Sequence, residues 1–431
     1  MSKCKIYRAQ ILHFLADPKT GDESAWQYFA DGILVVRNGL IEFVGDASTD
    51  LNKFADAEVE HLPHHLLIPG FIDTHIHYPQ TEMIAAYGEQ LLSWLNTYTF
   101  PTELKFSDPQ YSRETAEVFL NELLRNGTTT ALVFGTVHPQ SVDAFFEAAQ
   151  ARGLRMIAGK VLMDRHAPEG LCDTPESGYH DSKALIERWH GVDRLSYAIT
   201  PRFAPTSSSE QLQKAGQLLR EYPGVYLHTH LSENISECEW VGELFPESSS
   251  YLNVYDQAQL LGRRSVFAHG IHLDDCDCER LASTGSAIAH CPTSNLFLGS
   301  GLIDLPKLQS KGIHVGLGTD VGGGTNFSMF RTMDEAYKIQ QLRGNNLSPF
   351  SALYLATLGG AVALDLDSKI GNFLPGKEAD FIALDLQATP LLKYRIPFCK
   401  TLQELLFVLN TLGDDRLVER VYALGQLVHS R

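Results

Sequence analysis

Two histidines one residue apart, His75 and His77, close the apolar run Pro69-Gly70-Phe71-Ile72-Asp73-Thr74-His75-Ile76-His77. Side chains alternate across a strand with period two, so the two imidazoles share a face and meet at its C-terminal tip. Such a pair is half of a metal site, or else two strand-end polar groups satisfied by backbone and water. The rest of the chain decides between these. Val225-Tyr226-Leu227-His228-Thr229-His230 also ends in histidine and leads into Leu231-Ser232-Glu233. Ser265-Val266-Phe267-Ala268-His269 ends the same way, and the run from Ile313 to Asp320 ends in a carboxylate. All these groups fall at C-terminal strand ends, which in a parallel α/β barrel face one mouth.

A catalytic zinc takes about three protein ligands and leaves a position open for water. His75, His77, His230 and Asp320 supply nitrogen and oxygen donors that suit Zn²⁺ and tolerate Fe²⁺, and one ion per chain is expected. Such an ion lowers the pKa of a bound water toward about 7. Glu233, just past His230, is placed to take that water's proton and pass it on. Its plainer reading is a carboxylate favoured at a helix start. His269 can hydrogen-bond the attacking oxygen, or else support the core. Asp320 joins Glu233 and His269 in the expected catalytic group, because a carboxylate inside a barrel is costly without a cation. His228 sits one layer deeper and is expected to pack or to support a ligand. Lys160 raises the possibility of a second ion, but it lies before the end of its run, so a salt bridge or solvated tip is expected. The His-x-Glu and Pro-Cys-x-x-Cys pattern of polynucleotide deaminases is not completed here.

Eight strand-like runs carry these residues: Ile68 to His77, Thr129 to Gly135, Arg155 to Met163, Leu195 to Phe203, Gly224 to Leu231, Ser265 to His269, Ala287 to Cys291 and Ile313 to Asp320. Helical patterns between them include Tyr111 to Arg125, Ser141 to Arg152, Asp181 to His190, Ser208 to Glu221 and Cys276 to Ser283. This alternation predicts an α/β fold, a (β/α)8 TIM-like barrel. Short alternating runs at both ends predict a small β-sandwich domain built jointly by them, into which the barrel is inserted. The expected division is 1–67 plus 366–431 for the composite β domain and 68–365 for the catalytic barrel. The segment from Tyr78 to Phe106 shows no strong period and carries Trp94, Tyr98, Phe100 and Phe106, so it reads as a long loop overhanging the mouth.

With 431 residues, 44% hydrophobic and 20% charged, the chain can bury a large core. A formal net charge of -17 argues against nucleic acid and anionic membrane as partners and favours a small neutral substrate. The seven cysteines show no disulfide framework or paired metal spacing. No apolar leader or membrane-length stretch is seen, so a cytoplasmic protein is expected.

On its motifs the chain resembles the amidohydrolase superfamily. The match runs from Pro69–His77 through His230-Leu231-Ser232-Glu233 and Gly318-Thr319-Asp320 to Leu374-Pro375-Gly376-Lys377-Glu378-Ala379-Asp380. A narrower likeness, to members that deaminate guanine to xanthine and ammonia, rests on three further motifs. These are His77-Tyr78-Pro79-Gln80, Trp94-Leu95-Asn96-Thr97-Tyr98-Thr99-Phe100-Pro101 and Pro201-Arg202-Phe203-Ala204-Pro205. The resemblance implies zinc on His75, His77, His230 and Asp320, proton transfer by Glu233, and His269 at the attacking water. It implies a purine base held by Gln80, Arg202 and Phe203, with His77 and Trp94 beside it, and a homodimer. Arg202 offers fixed donors, Gln80 donates and accepts, and Phe203 can stack; an ion pair at the rim is the other reading of Arg202. Related substrates such as cytosine, adenosyl compounds or triazines stay open, as does a metal-free scaffold.

Overall fold

The computed structural model describes residues 4–18, 22–87 and 90–431. Four strands come first: β1 (Cys4–Phe14), β2 (Trp26–Arg37), β3 (Leu40–Asp46) and β4 (Glu58–Pro69). The barrel strands follow: β5 (Phe71–His77), β6 (Thr128–Phe134), β7 (Arg155–Gly159), β8 (Val161–Leu162), β9 (Ser196–Pro201), β10 (Tyr226–Leu231), β11 (Ser265–His269), β12 (Ala287–His290) and β13 (His314–Leu317). Then β14 (Phe381–Asp385), β15 (Val418–Ala423) and β16 (Gln426–Ser430) return to the first group.

Both chain ends do build one sheet, in the order β16-β15-β14-β4-β1-β2-β3. A register shift in β1 near residues 8 to 11, against both its neighbours, bends that sheet. Ile6 and Tyr7, on opposite faces of β1, pack in separate clusters, whereas Leu12 and Phe14, beyond the shift, join the main core.

The second sheet runs β5-β6-β7-β9-β10-β11-β12-β13, all parallel, and nearly closes into the expected barrel. Hydrogen bonds join its first strand to the last strand and the residues just beyond it. Thr74 Oγ1 donates to the Leu317 carbonyl, Asp320 N–H to the His75 carbonyl and His77 N–H to the Val321 carbonyl, each at 2.9 Å. Ile72, Leu132, Ile157, Ala198, Tyr226, Val266 and Ala287 fill the interior, which is a packed core rather than a pore. Helices Pro109–Arg125, Pro139–Ala151, Pro175–Trp189, Ser209–Glu221 and Asp275–Thr284 cover the outside where the sequence places them.

Two expectations need correction. The run from Arg155 to Met163 is broken at Lys160, and β8 pairs with β9 beyond the break. Backbone approach at this point is so close that a Cβ on Gly159 would lie 1.7 Å from the Ala198 carbonyl oxygen. Lys160 itself takes the salt-bridge alternative, with Asp173 at 2.5 Å. The segment from Tyr78 to Phe106 is not a plain loop. Apart from Gly88 and Glu89, which lie outside the described residues, it is a chain of short helical turns: Tyr78–Met83, Leu91–Trp94, Leu95–Thr99, Phe100–Glu103 and Leu104–Ser107. Turns this short end before a hydrophobic period can show itself. Leu91, Trp94, Leu95 and Phe100 pack there with Phe134, Met163 and Phe203 over the mouth.

At the opposite end, Arg155 and Arg194 reach the end-built sheet. Arg155 Nε donates to Glu378 at 2.8 Å, and Arg194 bonds both Glu378, at 2.6 Å, and Asp380.

Candidate active site

Strand ends bring the four expected ligands together. His75 Nε2 and His230 Nε2 each lie 3.2 Å from His77 Nε2, and Asp320 Oδ1 is 3.0 Å from His75 Nε2 and 3.2 Å from His77 Nε2. His269 belongs to the same cluster: His75, His230, His269 and Asp320 offer ligand atoms within 4.8 Å of one another. Tetrahedral donors about 2.0–2.1 Å from a common ion stand roughly 3.3 Å apart, so these spacings suit one metal.

Protonation points the same way. His230 Nδ1 donates to the Arg202 carbonyl at 2.6 Å, which leaves its Nε2 lone pair facing the cluster. His269 Nδ1 donates to Asn295 Oδ1 at 2.8 Å, turning Nε2 toward Glu233 and Asp320 at 3.4 and 3.7 Å. Burial pushes the imidazole of His77 down to about 3 and those of His75 and His230 below their usual value. Asp320 stays ionised, because His75 and His77 beside it outweigh its burial. Imidazole nitrogens and a carboxylate oxygen converge on one space, an arrangement that suits a cation. His228 supports a ligand as expected, its Nε2 2.7 Å from His75 Nδ1.

Glu233 adjoins this group and is free of the helix-start role. That role belongs to Glu237, whose Oε2 accepts the N–H groups of Glu233 and Asn234 at 2.9 and 3.1 Å ahead of helix Ile235–Leu244. Ser300 Oγ donates to Glu233 Oε1 at 2.9 Å. Burial and the Asp320 charge push the Glu233 carboxyl up to about 8. Ser232, His269 and Asp320 have φ of 48°, 73° and 52°, left-handed conformations of a kind that cluster at functional sites.

Above the cluster lies a cavity. His77, Gln80, Trp94, Arg202 and Phe203 line its walls, with Glu233, His269 and Asp320 at its base. His75, fully buried, sits outside the lining. Arg202 does form an ion pair, but inside the pocket wall rather than at an exposed rim, with the buried Glu103 at 2.8 Å. Sequence reasoning missed Glu103, Ser300, Asn295 and the supporting Asp73. Asp73 accepts Thr319 Oγ1–H at 2.5 Å and the N–H groups of His75 and Thr319 at 3.1 Å. Its place on the face shared by His75 and His77, two residues before the first of them, was the one available signal for it.

Residues 66–428 match the model of the amidohydrolase family. The chain belongs to that family, whose members generally use a divalent metal. It is 56% identical to the guanine deaminase of Escherichia coli K12 over 95% of this chain and 93% of that protein. A solved structure of E. coli guanine deaminase superposes with a TM-score of 0.96 at 53% identity, covering 99% and 100% of the two chains. A guanine deaminase from C. acetobutylicum, solved with guanine bound in its active site, gives 0.91 at 30% identity, covering 99% and 100%.

Proposed function

We propose that this protein hydrolyses guanine to xanthine and ammonia. One juxtaposition carries the reading: flat apolar walls (Trp94, Phe203) and fixed donors (Gln80, Arg202) share a cavity with Glu233 and the histidine–aspartate cluster. A planar heterocycle with acceptors along one edge fits such a wall. The 56% identical guanine deaminase and the neighbour with guanine bound support the choice of base.

His75, His77, His230 and Asp320 would hold the ion, zinc by preference with Fe²⁺ tolerated by the same donors. When bound, such an ion lowers the pKa of a water toward about 7. Glu233 takes the proton of the attacking water and delivers it to the ring nitrogen beside the carbon bearing the exocyclic amine. Water oxygen bonds to that carbon, its second proton passes by way of Glu233 to the exocyclic amine, and the carbon–nitrogen bond breaks to release ammonia and leave the new carbonyl. His269, held by Asn295, hydrogen-bonds the attacking oxygen. Gln80 and Arg202 orient the base while Phe203 and Trp94 exclude water.

We further read residues 1–67 with 366–431 as the composite domain and 68–365 as the catalytic one, and the enzyme as a cytoplasmic homodimer. Free cysteines support a reducing compartment, and exposed Leu391, Tyr394 and Phe398 offer an apolar face to a second copy. No helix among the described residues is long and apolar enough to cross a membrane. Separate incubations with guanine, cytosine, adenine and a triazine, followed by ammonia release and ultraviolet absorbance, test the function. Xanthine formed from guanine alone is expected; turnover confined to another ring would move the substrate while leaving the chemistry in place.

A further inference from the structure

We propose that Glu103 is the positioning residue of the base-binding wall and the group that makes this wall select a neutral ring over an anionic one. The inference rests on the guanine reading above.

Glu103 ends the short turn Phe100–Glu103, is fully buried and is absent from the cavity lining. Its carboxylate stands behind two residues that do line it. Arg202 Nη1 donates to Oε1 at 3.0 Å and to Oε2 at 2.8 Å, and Gln80 Nε2 donates to Oε1 at 3.3 Å. Gln80 is gripped from its other end as well, since Gly322 N–H donates to Gln80 Oε1 at 3.2 Å. Gln80 can therefore neither flip its amide nor swing, and one N–H of Nε2 is left for the cavity. Arg202, with Nη1 committed to Glu103 and its guanidinium 5.6 Å from the centre of the Phe100 ring, keeps Nε and Nη2 for a ligand. The wall thus presents donors, matched to an edge of carbonyl oxygen and ring-nitrogen acceptors.

Charge gives Glu103 its second consequence. Arg202 is 3% exposed, and at this depth an uncompensated guanidinium would attract any anion that fits the slot. Glu103 cancels that charge while leaving the donors in place. The wall then hydrogen-bonds acceptors without rewarding negative charge, as a neutral purine requires.

Titration calorimetry on the metal-loaded enzyme tests this with two ring probes of similar shape: hypoxanthine, neutral near pH 7.5, and urate, anionic there. Glu103→Gln keeps the side-chain volume and removes the charge. The expected result is a shift of about 10-fold or more in the ratio of the two affinities toward urate, with the KM for guanine rising more than kcat falls. Glu103→Asp, which keeps the charge, should hold the ratio near that of the unaltered enzyme. It also supplies the comparison if Glu103→Gln fails to fold, because an Asp variant whose ratio moves toward urate overturns the proposal. Equal weakening of both probes in Glu103→Gln would reduce Glu103 to general support and also overturn it. Failure of the unaltered enzyme to act on guanine would instead strike the functional reading, and is seen before any variant is made.

Discussion

The barrel buries charge at both ends, in opposite ways. At the N-terminal end of the strands, Arg155 and Arg194 meet Glu378 and Asp380, so two cations face two anions and each carboxylate is bonded. At the C-terminal end, Nε2 atoms of His75, His77 and His230 crowd one another and the Asp320 carboxylate, with His269 and Glu233 beside them. The first cluster is complete within the protein and ties the barrel to the sheet built by the chain ends. The second gathers donor atoms around one point, the place proposed above for a cation. Division of labour between stability and chemistry is thus written along the same strands, as barrels of this kind permit.

Substitutions can break or sharpen this contrast. The largest effect is expected at the mouth. Glu233→Gln should lower kcat by roughly 10²- to 10⁴-fold with metal content and melting temperature retained, whereas His230→Ala should lose metal in elemental analysis. Full activity in Glu233→Gln would remove Glu233 from the chemistry. At the other end, Arg194→Met leaves Glu378 and Asp380 undercompensated and should cost about 3–5 kcal/mol in denaturant unfolding. Activity per folded molecule should stay within a factor of two of the unaltered enzyme; a large fall in kcat/KM would mean that the two ends are coupled.

A smaller effect is expected in the sheet itself. His13 Nε2 donates to Gln27 Oε1 at 3.0 Å and its Nδ1 accepts the Phe373 N–H at 3.4 Å, a pattern that needs a neutral ring. Burial pulls its pKa from 6.5 down to about 4. The unfolded chain therefore binds this proton first. Stability is whole above pH 6.5, falls by about 1.4 kcal/mol per unit as pH drops toward 4, and loses about 3 kcal/mol in all. His13→Gln, which can keep both hydrogen bonds, should flatten that part of the melting-temperature profile.

The mouth was more legible in the sequence than the wall above it. His75, His77, His230, His269 and Asp320 each fall at or near the C-terminal end of an apolar run, and in a parallel barrel those ends converge on one mouth. Glu103 carries no such signal, because its meaning lies in Arg202, 99 residues away, and its turn is too short to show a period. Ser300 and Asn295 are equally silent, being placed by loops and helix starts rather than by strand alternation. The short helical turns between Tyr78 and Phe106 were hidden for the same reason, although their aromatic content did mark them as a cover for the site.

Closure of the ring has a consequence for biosynthesis. Asp73 and Thr319, 246 residues apart, are bonded directly, and the neighbouring backbone bonds from Asp320 to His75 and from His77 to Val321 lock the outermost strands together. A nascent chain holds the paired histidines early but lacks the aspartate until most of its length has left the ribosome. An ion held by the ligands proposed above could therefore be bound only late, by a chain that has completed its barrel.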